Sequence, residues 1–250
     1  MSRSWPPVLD AFQQTHQPEI LDQLTLVSPK ELGRNYLLHM SKNDSLPELT
    51  PYVCTRTKRG EDRTVARACM SGTLAACVMG YGTTLADYLQ ELDSSDGFGK
   101  KEVKWRGGWY LYAAPFRYAF RPSPKLVGVE GDTDEHWLVT FDEGSRKYPT
   151  LPVGKFFYRT VHYRPVGGVQ TITVELIVEV TASVGVWFSE GVHLAQGYWQ
   201  VVSSNLCTAK DWRTVKAETV KRLSRAEYDS WKAPVADLLH MREPSPVAAW

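Results

Sequence analysis

The segment from residue 169 to residue 182, "VQTITVELIVEVTA", constrains the fold more than any other part of the sequence. From residue 171 to residue 181 its apolar and polar residues alternate, so one face of an extended chain is uniformly apolar there. That face carries Ile172, Val174, Leu176, Val178 and Val180. Over residues 171–181 the opposite face carries threonine and glutamate, with Ile177 as its one apolar residue. A period of two over this length predicts a long β-strand with one buried face and one mostly solvated face.

The sequence on both sides of this strand is also of β type. "GKFFYRTVHYRPVGG" precedes it, and "VGVWFSEG" and "GYWQVVSS" follow it. These runs are rich in aromatic and β-branched residues and are separated by glycine, which is typical of strands joined by turns. The pattern predicts an antiparallel β meander over residues 150–205.

The N-terminal half contains shorter elements. Residues 1–21 form two short amphipathic pieces separated at Pro18, and they predict an N-terminal arm. Residues 22–145 predict an α+β body. Within it the β-like run "VARACM" gives way to the helical run "LAACVMGY". Ser71 or Thr73 is the candidate N-cap of that helix, because both side chains can accept a hydrogen bond from its first free N–H groups.

Residues 206–250 predict a helical C-terminal segment. "TAKDWRTVKAETVKRL" spaces Trp212, Val215, Val220 and Leu223 as one apolar helix face. "SRAEYDSW" then begins with a serine and, three residues later, a glutamate, which is the capping-box pattern. We therefore predict an α+β fold with mostly antiparallel or mixed β-sheets, short helices in the N-terminal half and a helical C-terminal tail. Four separate segments and one compact domain are both compatible with this pattern.

The charge balance and the hydropathy pattern limit the class of partner. The formal net charge is +1, from 29 basic and 28 acidic residues. Proteins that bind duplex nucleic acid normally carry a clear basic excess, so this balance makes a duplex partner unlikely. The first residues lack the apolar core of a signal peptide, and no apolar run reaches the roughly 20 residues of a membrane helix. We expect a soluble, cytoplasmic protein without a membrane partner, located in the cytoplasm of a cell or of an infected host.

Motifs for metal binding and catalysis are absent from the sequence. The cysteines, Cys54, Cys69, Cys77 and Cys207, form no CxxC pair, and the six histidines are scattered. The acidic stretch at 130–135 lacks the glycine and the distal glutamate of a calcium loop, so we interpret it as a solvated turn. No GxSxG, Walker A, GxGxxG or HExxH motif occurs. We predict no metal site.

The stretch from residue 63 to residue 82 contains Arg67, Cys69, Ser71, Thr73 and Cys77. It resembles part of small phage and mobile-element proteins that have an ADP-ribosyltransferase-like fold, and the resemblance covers about residues 22–141. Such proteins have an early strand that ends in a Tyr–His pair. A later strand ends in a Ser/Thr-rich turn that opens a helix, and a late strand supplies a glutamate. Their fold holds NAD between two small sheets.

The resemblance implies roles for particular residues. Ser71 and Thr73 correspond to the turn that binds NAD, and Glu135 corresponds to the catalytic glutamate, with Glu175 on the long strand as its competitor. "LTLVSP" (residues 24–29) takes the place of the early strand, and it has Leu26 where the family has histidine. A leucine cannot hydrogen-bond a ribose hydroxyl. This departure favours a scaffold that is used for binding over a working transferase.

A dense group of aromatic residues alternates with arginines in "WRGGWYLYAAPFRYAFRP". Such mixtures occur on surfaces that bind single-stranded nucleic acid and at protein interfaces, where aromatic and arginine side chains contribute most of the affinity. The net charge near zero favours a protein partner over nucleic acid. The predicted partner-binding residues are Trp105, Arg106, Trp109, Tyr112, Arg117, Tyr118 and Arg121. The alternative is a β-sheet core with cation–π contacts at its edge.

Three functions therefore compete. The first is a non-catalytic protein-binding protein of phage or mobile-element type. It would need no cofactor and would engage a host or virion protein through the aromatic and arginine surface. The second is an NAD-dependent ADP-ribosyltransferase that acts on a host macromolecule through Ser71, Thr73 and Glu135. The third is a structural protein of the virion.

Overall fold

A computed structural model describes residues 5–54, 60–80, 105–128, 134–140, 147–166, 169–207 and 212–240. A 3₁₀-helix at Pro7–Leu9 precedes five described α-helices, of which the first four are short and the last is the longest. They are α1 (Asp10–Thr15), α2 (Pro18–Leu21), α3 (Pro29–Leu32), α4 (Leu74–Gly80) and α5 (Arg225–His240). None of these helices has the length and apolar character that crossing a membrane requires.

Most of the described chain is extended, in strands that range from two to sixteen residues. They are β1 (Leu24–Val27), β2 (Tyr36–Ser41), β3 (Glu48–Leu49), β4 (Tyr52–Val53), β5 (Ala66–Ser71), β6 (Trp105–Pro115), β7 (Ala119–Pro122), β8 (Glu135–Val139), β9 (Tyr148–Pro149), β10 (Leu151–Val166), β11 (Val169–Val180), β12 (Val186–Ser189), β13 (Val192–Leu194), β14 (Gly197–Cys207) and β15 (Trp212–Leu223).

One large sheet contains ten of these strands in the order β1-β7-β8-β5-β2-β6-β10-β11-β14-β15, and β4 pairs with β5 beside this path. The described pairings within it are antiparallel. Two small two-stranded sheets, β12–β13 and β3–β9, accompany it. The fold is thus of the α+β class, with a mostly antiparallel sheet and few helices, as the sequence predicts.

Opposite faces of the sheet are covered by different elements. On one face, α4 and the β12–β13 hairpin cover the central strands, and their side chains share a core with Trp109, Phe156 and Val178. On the other face, α5 packs over Phe157 and Ile177 through Tyr228. The long strands therefore lie between two layers, which is how a sheet of this width buries its apolar residues.

The N-terminal helices lie against the β1 end of the sheet. Leu9 and Phe12 are buried there. The ring of Phe120 on β7 lies 5.0 Å from the ring of Trp5 and 5.1 Å from the ring of Phe12, centroid to centroid. Aromatic pairs at these separations add to the stabilisation that burial provides. The described residues of the arm thus contribute to the same apolar core as the body.

Strand β11 confirms the prediction of a long strand, and it corrects the prediction of a mostly solvated second face. Leu176, Val178 and Val180 are buried as expected. On the opposite face Ile177 is also buried, and Glu175 is only 2% exposed. The sequence period shows which residues share a face, but it does not show that α5 covers the face that carries Ile177.

The helix predicted for "TAKDWRTVKAETVKRL" is wrong. Trp212–Leu223 forms strand β15, which pairs with β14 from Cys207↔Trp212 to Tyr198↔Leu223. The segment is rich in threonine and valine, and β14 offers it a ladder of backbone hydrogen bonds, which outweighs a helix-like spacing of four apolar residues.

The helical part of the tail begins directly after this strand, at Arg225. Its predicted capping box is confirmed. The N–H of Glu227 donates to Ser224 Oγ (3.2 Å), and the N–H of Ser224 donates to Glu227 Oε2 (2.7 Å). The two bonds satisfy N–H groups that the first turn of α5 would otherwise leave without partners.

Candidate functional site

Strand β5 meets two other strands at its final residue, Ser71. On one side Ser71 is paired with Leu38 of β2, and on the other side with Glu135 of β8. Side chains at paired positions of antiparallel strands project from the same face, with their Cβ atoms roughly 5 Å apart. Ser71 and Glu135, which the resemblance selects from distant parts of the sequence, are therefore direct neighbours on one face of the sheet.

The backbone ladder between β2 and β5 is interrupted next to this point. β2 pairs with β6 along its full length, from Tyr36↔Pro115 to Ser41↔Tyr110. With β5 it shares only the pair Leu38↔Ser71, and the start of β5 pairs with β4 instead. The edge of β5 between these contacts is therefore free to receive side chains.

The imidazole of His39, which starts from the face of β2 opposite to that of Leu38 and Ser71, reaches the edge of β5 at this interruption. Its Nδ1 lies 3.1 Å from the carbonyl oxygen of Cys69. A carbonyl only accepts, so Nδ1 carries the proton and Nε2 of the neutral ring is a hydrogen-bond acceptor. Burial lowers the pKa of His39, with an opposing contribution from the Cys69 hydrogen bond. The neutral ring is thus favoured near pH 7.

Sequence reasoning missed His39 because it placed the early strand on β1. β1 pairs with β7 at the outer end of the sheet, so Leu26 lies on a strand that does not touch β5. β2 is the strand that neighbours β5, and it carries both Tyr36 and His39. The run "YLLHMS" is the signal that could have found it, since it combines a β-type pattern with the tyrosine and histidine that the resemblance expects.

Glu135 is held by an aromatic neighbour on its own strand. The indole Nε1–H of Trp137 donates to Glu135 Oε1 at 2.7 Å. Trp137 is fully buried, and the guanidinium of Arg67 lies 4.2 Å from the centre of its ring. A hydrogen bond from so well-fixed a donor restricts the orientation of the carboxylate.

Thr73 has a structural role, which confirms one of the two N-cap candidates. Its Oγ1 accepts a hydrogen bond from the N–H of Ala76 (3.1 Å), so it caps α4. Its side chain is buried. Ser71 is not the cap, because it belongs to β5. Of the two predicted NAD-binding residues, only Ser71 lies beside Glu135 on the face of the sheet.

Glu175, the competing glutamate, lies elsewhere. Its strand β11 is separated from β5 by β2, β6 and β10. Its carboxylate accepts a hydrogen bond from the side chain of Gln200 on β14 and is almost fully buried. It is therefore not part of the arrangement around Ser71.

The predicted aromatic surface loses two of its members. Trp109 is 4% exposed and Tyr112 is 2% exposed. Tyr112 Oη–H donates to the carbonyl of Asn43 (2.8 Å), and Lys42 Nζ lies 4.9 Å from the centre of the Trp109 ring. Assigning these two residues to a partner-binding surface is wrong, because they fill the sheet core with cation–π contact at its edge.

The other members are distributed as follows. Arg117 is exposed, and its guanidinium lies 5.4 Å from the centre of the Tyr118 ring. Arg121 is partly exposed, with Nη2 at 3.8 Å from Asp134 Oδ1. The backbones of Trp105 and Arg106 belong to β6, but their side chains lie outside the described part of the structure.

Across the described segments, no group of three or more His, Cys, Asp or Glu side chains is placed to hold a metal ion. Of the acidic stretch at 130–135, residues 130–133 lie outside the described residues, while Asp134 and Glu135 are described. No family model matches this chain, and neither a curated protein nor a solved structure matches it.

The lowered pKa of His39 predicts a contribution to acid sensitivity. Because its pKa is lower in the folded protein than in the unfolded chain, its stabilising contribution is complete above the unfolded value of about 6.5 and is lost as the pH falls through the folded value. We expect His39→Gln, whose amide can still donate to Cys69, to lose less stability than the wild type between pH 7 and pH 5. Urea unfolding at several pH values measures this.

The matched control for this prediction is His193→Gln. His193 is an exposed histidine on β13 that also lies within hydrogen-bond distance of a backbone carbonyl, that of Val184. An identical pH dependence for His39→Gln and the wild type would contradict the prediction.

Proposed function

We propose that this protein is an NAD-dependent ADP-ribosyltransferase, of phage or mobile-element type, that modifies a host macromolecule at the point where β2, β5 and β8 meet. The observation that carries the proposal is the strand order, because β5 lies between β2 with His39 and β8 with Glu135. A histidine on one strand, a Ser/Thr turn that opens a helix and a glutamate on a later strand are the set that the resemblance implies.

The chemistry explains why such a set is needed. Transfer of ADP-ribose breaks the bond between the nicotinamide nitrogen and C1′ of the ribose, and nicotinamide leaves with the electron pair. Positive charge develops on the ribose until the acceptor bonds to C1′ and gives up its proton. A fixed carboxylate at this position stabilises that charge, and because it is already oriented it needs little reorganisation during the reaction. Glu135, held by the Trp137 indole, is suited to this role.

His39 and Ser71 suit the binding of the ribose. The neutral imidazole offers Nε2 as an acceptor for a hydroxyl, since Nδ1 is used by Cys69. The Ser71 hydroxyl can donate and accept beside Glu135. His39 follows Leu38, which pairs with Ser71, so its Cβ lies on the opposite face of the sheet from Ser71 and Glu135. The departure from the family pattern at Leu26 is therefore only partly removed.

The test is Glu135→Gln with labelled NAD and candidate acceptor proteins. The amide oxygen of glutamine can still accept from the Trp137 indole, so the fold is expected to persist while the negative charge is lost. We expect label transfer to fall about 100-fold or more, equivalent to roughly 2.7 kcal/mol. Glu190→Gln, an exposed glutamate in the β12–β13 turn, is the matched control and is expected to leave transfer unchanged.

Two results would contradict the proposal. One is wild-type protein that neither binds NAD by calorimetry nor releases nicotinamide. The other is equal transfer by the wild type and Glu135→Gln.

A non-catalytic protein-binding protein is the second candidate. It is favoured by the exposed Arg117 stacked on Tyr118, since arginine–aromatic pairs of this kind are enriched at interfaces. Under this hypothesis NAD is not bound, so the same calorimetric titration separates the two functions.

A further inference from the structure

We infer that Asp134 is a positioning residue for Glu135, and that the absence of a side chain at Gly72 sets where Asp134 can lie. The expected effect on catalysis rests on the proposed function, whereas the close approach of Gly72 and Asp134 does not. A Cβ atom added to Gly72 would lie 2.9 Å from Asp134 Oδ2 and 3.3 Å from Oδ1. Only glycine permits this close an approach without a shift of the carboxylate.

Gly72 is held on its other side, so it cannot simply move away. Arg34 Nη1–H donates to its carbonyl oxygen. The residue before it, Ser71, belongs to the β5 ladder, and the residue after it, Thr73, caps α4. A side chain at position 72 would therefore push Asp134 rather than the strand–helix junction.

Asp134 is fixed chiefly through its backbone, while its carboxylate makes a long, partly exposed ion pair. Its φ is 49°, in the left-handed region that aspartate tolerates better than most residues. Its carbonyl accepts a hydrogen bond from Nδ1 of the buried His136 (2.9 Å), and its carboxylate lies 3.8 Å from Arg121 Nη2. The next residue is Glu135. Because the carboxylate ends a side chain that can rotate, the inference requires that part of the shift reach the Asp134 backbone, which is one peptide unit from Glu135.

The experiment compares Gly72→Ala, Asp134→Gly and the double variant. Gly72→Ala is expected to lower kcat for ADP-ribose transfer about tenfold with little change in KM, because Glu135 is misplaced rather than removed. Asp134→Gly is expected to lower kcat only about threefold, since glycine adopts a φ of 49° without strain. In the double variant the new methyl group occupies the space that the carboxylate left. Its kcat is therefore expected to lie within about twofold of that of Asp134→Gly.

The position of Glu135 can also be followed without any activity, through the indole N–H that Trp137 donates to it. In protein labelled with ¹⁵N-tryptophan, this NMR signal is assigned as the one that Trp137→Phe removes. Gly72→Ala is expected to shift it, and the double variant to return it to its position in Asp134→Gly. Gly33→Ala is the control: its φ of 63° strains an alanine there, but the new methyl group meets no neighbour, so the Trp137 signal should stay in place.

The outcomes distinguish the inference from the proposed function. If Gly72→Ala shifts the Trp137 signal and the double variant restores it, but the wild type does not cleave NAD, the contact between Gly72 and Asp134 is supported and the proposed function is contradicted. Transfer by the wild type with an unchanged signal and kcat in Gly72→Ala overturns the inference and retains the function. If Gly72→Ala does not fold, the double variant is the test. The inference requires the double variant to fold and to show the Trp137 signal at its position in Asp134→Gly. A double variant that fails either condition overturns the inference.

Discussion

Arg67→Met is expected to lower the free energy of unfolding by about 3–5 kcal/mol. Arg67 is 1% exposed on β5, yet it carries a full charge in the core. Its Nη2 lies 2.7 Å from Glu61 Oε1, and its Nη1 lies 3.1 Å from Asp62 Oδ2. Its guanidinium also stacks on Trp137 at 4.2 Å.

Stability is lost because the substitution leaves the carboxylates of Glu61 and Asp62 without the Arg67 cation where little water can reach them. Asp62 keeps the hydrogen bonds that it accepts from the backbone N–H groups of Thr64 and Val65, but it loses Arg67. A buried charge without its counter-charge is far more costly than a lost surface pair, because water cannot replace the missing partner. The carbonyls of Val65 and Asp62, which accept from the same guanidinium, lose a donor as well.

Urea unfolding of the wild type and Arg67→Met measures the effect. The matched control is Arg225→Met, which removes an exposed arginine whose Nε lies 2.8 Å from Asp229 Oδ2 on α5. That pair is solvated, so we expect a loss of less than about 1 kcal/mol. If Arg67→Met costs no more than Arg225→Met, the buried network does not stabilise this part of the fold.

Gly154→Ala is expected to destabilise the protein by roughly 3 kcal/mol or more, because the new methyl group has no space. The added Cβ would overlap the carbonyl oxygen of Glu179, which is a backbone atom of the neighbouring strand β11. A backbone carbonyl cannot rotate aside as a side chain can. The strands β10 and β11 must therefore separate locally, next to the pair Gly154↔Val180.

The position of this glycine is set by an irregularity of β10. The register against β6 shifts between Pro152 and Gly154, and the Val153 carbonyl accepts from the N–H of Thr181 (2.9 Å) and, more weakly, from that of Ala182 (3.3 Å). Irregularities of this kind bring backbones close together and often require glycine.

Thermal unfolding compares Gly154→Ala with Gly191→Ala. Gly191 has a φ of 75° but open space around it, so alanine there clashes with no neighbour. Its only cost is the strain of placing alanine in the left-handed region, about 1–2 kcal/mol. If the two variants lose the same amount of stability, β10 and β11 adjust to a side chain at position 154 without separating.

Local patterns in the sequence were sufficient for several elements. The period of two identified β11 and the residues of its main buried face, since side-chain alternation is a property of any strand. The capping box at Ser224 and the N-cap at Thr73 were also predictable, because each depends on a side chain that bonds backbone groups within three residues.

Other assignments depended on contacts between distant residues. The segment at 212–223 has a spacing that suits a helix and a composition that suits a strand, and the pairing with β14 decided between them. Trp109 and Tyr112 resemble interface residues in the sequence, but whether an aromatic side chain is exposed depends on what packs over it. β6 holds both of them in the core of the sheet.

For the candidate site, local patterns show which polar residues lie at the start or end of a strand, and the resemblance selects Ser71 and Glu135. That these two residues are cross-strand neighbours, and that His39 rather than Leu26 lies on the adjacent strand, is visible only in the folded chain. Strand order and register come from pairing between segments that are far apart in the sequence. No local pattern encodes which strand a given strand will choose as its neighbour.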